Sequence, residues 1–261
     1  GTAGAPIRTR PAASAESAAR GVTSPQGLEG RPPPDSRLYA IGDLHGRSDL
    51  LDRMHAAIAA DLAEGPPAER VVLIYLGDYV DRGPDSRGVL ARLIDRPTIP
   101  GARRVVLRGN HEDMMMRALE TGDESFMRLW LTNGGIETIL SYGPPREAMM
   151  KARGDMAEMR RVALACVAQD HLQAMARFPY LHQEGDYLFV HAGIRPGLSI
   201  ALQRPEDLVW IRKPFLESDE RFEKIVVHGH TPAPEPEVRP NRIGIDTGAA
   251  LTGRLTALAA D

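Results

Sequence analysis

The sequence VVLIYLGDYVDRG, residues 71–83, decides the fold class. Its first six residues, Val71 to Leu76, form a continuous apolar run of the kind found in buried strands. A glycine follows, and then a loop that carries Asp78, Asp81 and Arg82. A buried strand that ends in a polar loop favours an α/β domain in which helices cover a sheet.

The same pattern recurs from Leu38 onward. Short runs of β-branched and apolar residues predict further strands, and segments with helical spacing lie between some of them. The predicted strands are 38–41, 71–76, 104–107, 187–190, 224–227, 242–245 and 254–258, and the predicted helices are 47–63 and 84–94.

Two segments depart from this alternation. Residues 1–37 are rich in proline and alanine and lack apolar periodicity, so we predict a flexible N-terminal tail ahead of a single domain, residues 38–261. Residues 111–177 show no strand signal and hold nine of the ten methionines. We predict a helical insert of about three helices there, broken near residues 133–135 and 143–145.

Composition narrows the class of protein. The chain has 261 residues, 43% of them hydrophobic, and its 32 Lys and Arg against 35 Asp and Glu leave a net charge of -3. This balance, together with an aromatic content of 5%, argues against a nucleic-acid-binding surface. No apolar run approaches the ~20 residues of a membrane span. A single cysteine, Cys166, excludes an intramolecular disulfide, so we expect a cytoplasmic protein.

Five predicted strands end in loops crowded with carboxylate, imidazole and amide groups. These loops are GDLHG (42–46), GDYVDRG (77–83), GNHE (109–112), HAG (191–193) and HGHT (228–231). Ligands bind at the carboxyl ends of strands in open α/β sheets, so we expect the five loops to converge.

The polar residues of these loops form a set of metal donors. Carboxylates, an amide oxygen and imidazoles suit Mn, Fe, Zn or Mg and exclude thiolate-bound structural zinc. Six donors are too many for one open catalytic metal, but they suit two ions about 3.5–4 Å apart that share a bridging carboxylate and hydroxide. The candidate donors are Asp43, His45, Asp78, Asn110, His191 and His230.

The five motifs, in this order, resemble those of the phosphoprotein phosphatase family within the calcineurin-like metallophosphoesterases. HAG, HGHT and the segment WIR (210–212) resemble its bacterial branch, which includes bacterial and phage Ser/Thr phosphatases and symmetrical diadenosine tetraphosphatases. The resemblance covers residues 38–258. It implies a two-sheet sandwich of mixed β-sheets flanked by helices.

The resemblance also implies a role for each site residue. Asp43, His45 and Asp78 would hold one metal, and Asp78, Asn110, His191 and His230 the other, with Mn²⁺ as the expected ion. A hydroxide shared by the two metals would attack phosphorus in line. In the same scheme, His111 protonates the leaving oxygen, Asp81 orients His111, and Arg82 and Arg212 clamp the phosphoryl group.

Two nearby residues stay open at this point. His228 lies two positions before His230, so on a strand both side chains would face the same side. In one interpretation His228 therefore also approaches the site. Asp246 lies in the segment IDTG (245–248), which we interpret as a turn near the pocket.

The substrate depends on the helical insert, which we expect to form a cap or wall beside the metals. Our leading hypothesis is a phosphomonoesterase acting on phosphoserine and phosphothreonine in proteins, with small phosphoesters also open. The alternative is a symmetrical dinucleoside polyphosphate hydrolase. A noncatalytic regulatory module and a nuclease are further, less favoured, alternatives.

Overall fold

The computed structural model describes residues 8–11, 30–95 and 99–261. Within these ranges the chain folds into two five-stranded sheets. The strands, in chain order, are β1 (Arg8–Pro11), β2 (Ser36–Ile41), β3 (Arg70–Tyr75), β4 (Arg103–Val106), β5 (Leu181–Glu184), β6 (Tyr187–Val190), β7 (Ile225–His228), β8 (Glu237–Val238), β9 (Arg242–Gly244) and β10 (Thr256–Ala260).

Both sheets are mixed. The first has the order β1-β10-β2-β3-β4, in which β2, β3 and β4 run parallel and β10 is antiparallel to both of its neighbours. The second has the order β5-β6-β7-β9-β8, with β6, β7 and β9 parallel and an antiparallel strand at each edge. Parallel strands present their carboxyl ends at one edge of a sheet, and this arrangement gathers the polar loops.

Helices cover the outer faces of the sheets. The α-helices in the described ranges are α1 (Ser48–Glu64), α2 (Ser86–Ile94), α3 (Asn110–Thr121), α4 (Glu124–Trp130), α5 (Ile136–Ser141), α6 (Arg146–Lys151), α7 (Met156–Cys166), α8 (Gln169–Ala176), α9 (Pro205–Trp210), α10 (Lys213–Leu216) and α11 (Ala249–Thr252). A π-helical turn, Leu131–Gly135, joins α4 to α5, and Ile200–Leu202 forms a 3₁₀ turn. No helix among the described residues has the length and apolar character of a membrane span.

The core follows from the period-2 alternation of strand side chains. Leu38 and Ala40 of β2 point between the two sheets, where they pack with Phe189 of β6. The alternate residues of β2, such as Tyr39 and Ile41, face the layer of α1, α2 and the helical insert. In the same way the alternate residues of β6 meet α9 and α10. The result is a sheet-on-sheet sandwich with helices outside, which confirms the predicted fold class.

The structure differs from the sequence-based expectation in two segments. Residues 8–11, within the predicted flexible tail, form the edge strand β1 against β10; residues 1–7 and 12–29 of that tail lie outside the described residues. The insert holds six α-helices rather than about three, so the predicted number was wrong. Its breaks do lie near the expected positions, since Gly134 and Gly143 adopt positive φ angles of 104° and 70°.

Candidate metal centre

The five polar loops converge at the carboxyl ends of the parallel strands. GDLHG follows β2, GDYVDRG follows β3, and GNHE follows β4 and opens α3; HAG follows β6, and HGHT begins at the last residue of β7. Every candidate metal donor in these loops is at most 5% exposed. Buried polar side chains of this density require partners, and each donor's partners define the site.

Asp78 lies at the centre, with one carboxylate oxygen facing each side. Its Oδ2 lies 3.4 Å from Nε2 of His45 and 3.9 Å from Nε2 of His111. Its Oδ1 lies 3.3 Å from Nε2 of His191. Two groups of potential metal ligands therefore share Asp78: one with His45 and His111, the other with His191 and His230. This is the position that a bridging carboxylate occupies between two ions.

The second group converges on the amide oxygen of Asn110. Nε2 of His191 and Nδ1 of His230 lie 2.8 and 2.9 Å from that oxygen. His191 donates its Nδ1 proton to the carbonyl of Leu76 at 2.9 Å, so in the neutral imidazole the lone pair of Nε2 faces the amide oxygen. Nε2 of His191 and the amide oxygen of Asn110 are thus two acceptors in contact, and a cation bound to both would stabilise the pair. The other ring nitrogen of His230, the buried Nε2, has no hydrogen-bond partner among the described residues.

His45 is oriented in the same way as His191. Its Nδ1 donates to the carbonyl of Val80 at 2.9 Å, which turns Nε2 toward Asp78. A second hydrogen bond of this kind fixes the tautomer and the ring orientation of metal-ligating histidines. Arg82 donates from Nη1 to the same Nε2 at 2.8 Å, so Arg82 and a cation would compete for one lone pair.

Asp43 lies in the loop that follows β2. Its two carboxylate oxygens accept from the backbone N–H of His230 at 3.2 and 3.0 Å. Burial, together with the charges of Asp246 and Asp78, raises the pKa of Asp43 well above its ordinary value. Positive charge bound among these three carboxylates would favour their ionised forms.

Protonation states at the site suit metal binding. Burial alone would raise the pKa of Asp78, but the surrounding histidines hold it below its ordinary range. Burial lowers the pKa of His45 to about 3 and that of His230 to about 2. An ionised carboxylate and neutral imidazoles are the forms that coordinate metals, so the donor set fits two divalent cations.

His111 and Asp81 form a hydrogen-bonded pair beside the metal ligands. Nδ1 of His111 lies 2.7 Å from Oδ2 of Asp81. The other oxygen of Asp81 accepts from Nε1 of Trp130 at 2.9 Å and from Oγ1 of Thr138 at 2.7 Å, both in the helical insert. Burial lowers the pKa of His111, but the carboxylates of Asp78 and Asp81 outweigh it and raise the pKa above its ordinary value. The bond to Asp81 therefore holds the His111 ring in a fixed orientation.

The two arginines differ in their environment. The Arg82 guanidinium reaches into the centre, as its bond to His45 shows. Arg212 is exposed and caps the start of α10, and its charge contributes to lowering the pKa of both His191 and His230. Arg212 thus lies on the side of the second ligand group, within electrostatic reach of it.

His228 does not enter the site. Its Nδ1 contacts the carbonyl of Gly229, and its Nε2 accepts from Nη1 of Arg242 at 3.2 Å. Phe215 packs edge-on against its ring, with centroids 5.0 Å apart. The open interpretation that placed His228 beside the metals was wrong, because the ring turns into the layer of α10 instead.

The loops hold a backbone that L-amino acids rarely adopt. His45, Asp78, Asp81, Arg82 and His230 all have φ angles between 43° and 73°. Such conformations cost about 1–3 kcal/mol each and persist only where surrounding contacts determine them. Their concentration in these loops marks the segments whose exact shape matters.

Two residues to which sequence reasoning assigned no role support this geometry. The buried carboxylate of Glu112 accepts from the backbone N–H groups of Asp78, Tyr79, Val80 and Gly109, at 2.8–3.3 Å. Asp246 lies against Asp43, and burial raises its pKa to about 6. In the sequence, Glu112 is the last residue of GNHE and Asp246 is the aspartate of IDTG. Neither motif shows which groups these side chains contact.

Comparison with known proteins agrees with this geometry. The model of the family described as calcineurin-like phosphoesterase matches residues 36–255. The chain belongs to the calcineurin-like phosphoesterases. This membership confirms the resemblance seen in the five motifs.

Individual relatives of this phosphoesterase carry two kinds of name. Serine/threonine-protein phosphatase 2 of Escherichia coli (strain K12) is 38% identical over 99 residues, which is 38% of each chain. A symmetrical bis(5'-nucleosyl)-tetraphosphatase of Acidovorax sp. (strain JS42) is 32% identical over 159 residues, 61% of this chain and 44% of the relative. The chain thus covers less than half the length of either curated relative.

The fold recurs in a crystal structure assigned as a candidate diadenosine tetraphosphatase. That structure superposes with a TM-score of 0.55 at 19% identity and covers 87% of this chain and 90% of its own. At this identity the likeness concerns the fold alone.

Proposed function

We propose that the protein is a phosphomonoesterase that removes phosphate from serine and threonine side chains of proteins. The observation that carries the proposal is the arrangement around Asp78, which offers one oxygen to each of two ligand groups while the proton donor His111 lies beside it. A phosphomonoester needs both features, because its leaving alkoxide must be protonated as the bond to phosphorus breaks.

The proposed metal ligands are those expected from the sequence. Asp43, His45 and Asp78 would hold the first cation. The ligands of the second would be Asp78 together with Asn110, His191 and His230. Mn²⁺ is the proposed ion, since oxygen and imidazole donors suit it. Two divalent cations bound there would acidify a water and neutralise charge on the phosphoryl group.

The remaining site residues would act on the substrate directly or through one another. His111 would pass its Nε2 proton to the oxygen that leaves phosphorus, and Asp81 would keep its ring oriented through the 2.7 Å bond to Nδ1. Arg82 and Arg212 would bind the phosphoryl oxygens, since a guanidinium offers paired donors to such oxygens. The products would be inorganic phosphate and the free hydroxyl of serine or threonine.

A paired assay tests this substrate class. The purified protein, supplied with Mn²⁺, would be given a phosphoserine peptide and diadenosine tetraphosphate, with phosphate release and nucleotide products measured. We expect turnover of the phosphopeptide. Activity confined to the dinucleotide would overturn the proposal.

A symmetrical dinucleoside polyphosphate hydrolase is the second candidate. The relative that favours it is the Acidovorax protein of that name, whose alignment is longer than that of the Escherichia coli phosphatase. Cleavage of diadenosine tetraphosphate into two molecules of adenosine diphosphate would identify this activity.

A further inference from the structure

The helical insert carries an apolar groove of about 470 Å³. We call it the methionine groove. The helices α5, α6 and α7 and the π-helical turn form it. Its apolar wall consists of Leu131, Ile136, Met149, Met150, Met156 and Met159.

Two side chains in the wall of the methionine groove are exposed to solvent. Met150 is 66% exposed and Ile136 is 39% exposed. Methionine is flexible and polarizable, so it adapts to partners of different shape, and such side chains are common at binding surfaces. An apolar face of this kind is typical of a site that a partner covers.

The rim of the methionine groove is cationic and has no charge partner. Arg128, Arg146 and Arg153 line it. Within residues 30–95 and 99–261, no carboxylate forms an ion pair with any of these three guanidinium groups. By contrast, Lys151 and Arg161 on the same helices both pair with Glu158. The surface therefore complements a segment that carries an apolar side chain between acidic groups.

The methionine groove is connected to the metal centre through one short segment. The π-helical turn that supplies Leu131 to the groove also supplies the Gly134 carbonyl, which accepts from the backbone N–H of Arg82 at 3.2 Å. A Cβ at Gly134 would lie 2.5 Å from that nitrogen, so the turn packs directly on Arg82. Trp130, the residue before the turn, donates to Asp81. The loop that carries Arg82 and the lining of the groove therefore meet at the same turn of the insert.

We propose that the methionine groove binds the acidic, apolar flank of a phosphorylated protein segment and so selects substrates for the metal centre. This inference rests on the proposed phosphoprotein phosphatase activity. The bound ligand is a peptide with an apolar residue, such as leucine or methionine, flanked by aspartate or glutamate. The apolar side chain enters the groove, and the carboxylates meet the three rim arginines.

The experiment compares phosphopeptide turnover with turnover of 4-nitrophenyl phosphate, which lacks a peptide flank. The substrates are a phosphoserine peptide flanked by leucine and aspartate, the same peptide with lysine in place of aspartate, and the same peptide with serine in place of leucine. The variants are the double charge reversal Arg146→Glu with Arg153→Glu, and Met150→Ser. The matched control reverses Arg221 and Arg239, exposed arginines outside the groove, to glutamate.

We expect the double reversal to raise KM for the acidic peptide about five- to tenfold, given the strength of exposed ion pairs. Turnover of 4-nitrophenyl phosphate and kcat for the peptide should stay unchanged, and the control should match the parent protein. The parent should also bind the unphosphorylated acidic peptide in a fluorescence anisotropy titration, and the double reversal should weaken that binding.

Three results would overturn the inference, each in a recognisable way. If all three phosphopeptides are hydrolysed equally by parent and variants, the methionine groove does not select substrate, although the proposed phosphatase activity stands. If no phosphopeptide is hydrolysed while 4-nitrophenyl phosphate is, the proposed function itself fails. If the parent sediments as a dimer and the double reversal as a monomer, the groove binds a second copy of the chain instead.

Discussion

The metal centre and the methionine groove lie next to each other and are built in opposite ways. In the metal centre, polar side chains are buried, and five residues hold strained backbone conformations. In the groove, Met150 and Ile136 are exposed, and three arginines have no ion-pair partner in the part of the chain that the structure describes. Chemistry on phosphorus tolerates little variation in geometry, whereas recognition of a flank uses surface that folding leaves uncovered.

The two regions meet at Asp81 and Arg82. Trp130 and Thr138 of the insert bind the carboxylate of Asp81, and Gly134 binds the backbone of Arg82. The insert therefore contacts the loop of Asp81 and Arg82 and also carries the groove. Variants on each side of this junction should separate the contribution of the two regions.

The largest effect is expected from Asp78→Asn in the metal centre. A neutral amide would replace the carboxylate that faces both ligand groups, so kcat/KM should fall about a thousandfold or more for every substrate. Phosphate release would measure the activity, and elemental analysis would measure bound metal. Asp49→Asn, at an exposed aspartate paired with Arg47, is the control and should behave as the parent. Full activity in the Asp78→Asn variant would show that the Asp78 carboxylate is not needed as a ligand shared by two metals.

His111→Ala should have a large effect that depends on the leaving group. General acid catalysis contributes about a hundredfold or more when the departing oxygen is a poor leaving group. The loss should therefore be large for phosphoserine. It should be small for 4-nitrophenyl phosphate, because 4-nitrophenolate is stable enough to leave without a proton. Steady-state kinetics with both substrates measure the difference. An equal loss on both would show that His111 is not the leaving-group acid.

Trp130→Phe probes the junction between the two regions. The substitution keeps an aromatic ring in a fully buried position but removes the N–H that binds Asp81. Thr138 still donates to the same oxygen, so the cost is that of one lost hydrogen bond to a charged group, about 1.5–3 kcal/mol, which a urea unfolding curve would detect. Because Asp81 orients His111, kcat for phosphoserine should fall several-fold while 4-nitrophenyl phosphate is spared. Loss on both substrates alike would instead indicate a general disturbance of the loop.

The smallest effect is expected in the groove itself. Met150→Ser, at a side chain 66% exposed, should change the free energy of unfolding by no more than about 0.5 kcal/mol. Met115→Ala, in the same insert but fully buried, should cost about 2–5 kcal/mol. Chemical denaturation of both variants makes the comparison. Similar losses would mean that Met150 belongs to the hydrophobic core and not to a binding surface.

Much of the sandwich was predictable because its central strands are short, continuous apolar runs. Strand β2 buries both of its faces. One face consists of Leu38 and Ala40, and the other of Tyr39 and Ile41. The edge strands gave no comparable signal: β5 reads LHQE, and β8 has only two residues. Strand β1, RTRP, pairs only with β10, a partner about 250 positions away in the sequence.

The candidate metal donors could also be proposed from the sequence, since each lies at the end of a recognisable strand and belongs to a short motif. The residues that hold these loops in place could not be identified from the sequence. Glu112 binds four backbone N–H groups from two loops, and no spacing in the sequence encodes a contact between a side chain and a distant backbone. His228 and His230 share a strand direction, yet only His230 reaches the site, because Arg242 and Phe215 hold the other ring.

The amino-acid sequence alone thus specified the fold class, the phosphoesterase family and the six candidate metal donors, since these depend on local periodicity and on short motifs. Tertiary structure decided which oxygen of Asp78 faces which ligand group, how Trp130 and Thr138 hold Asp81, and where the methionine groove opens. Those features arise where segments far apart in the chain pack together, and only the packed chain determines which side chains are covered and which remain free to bind.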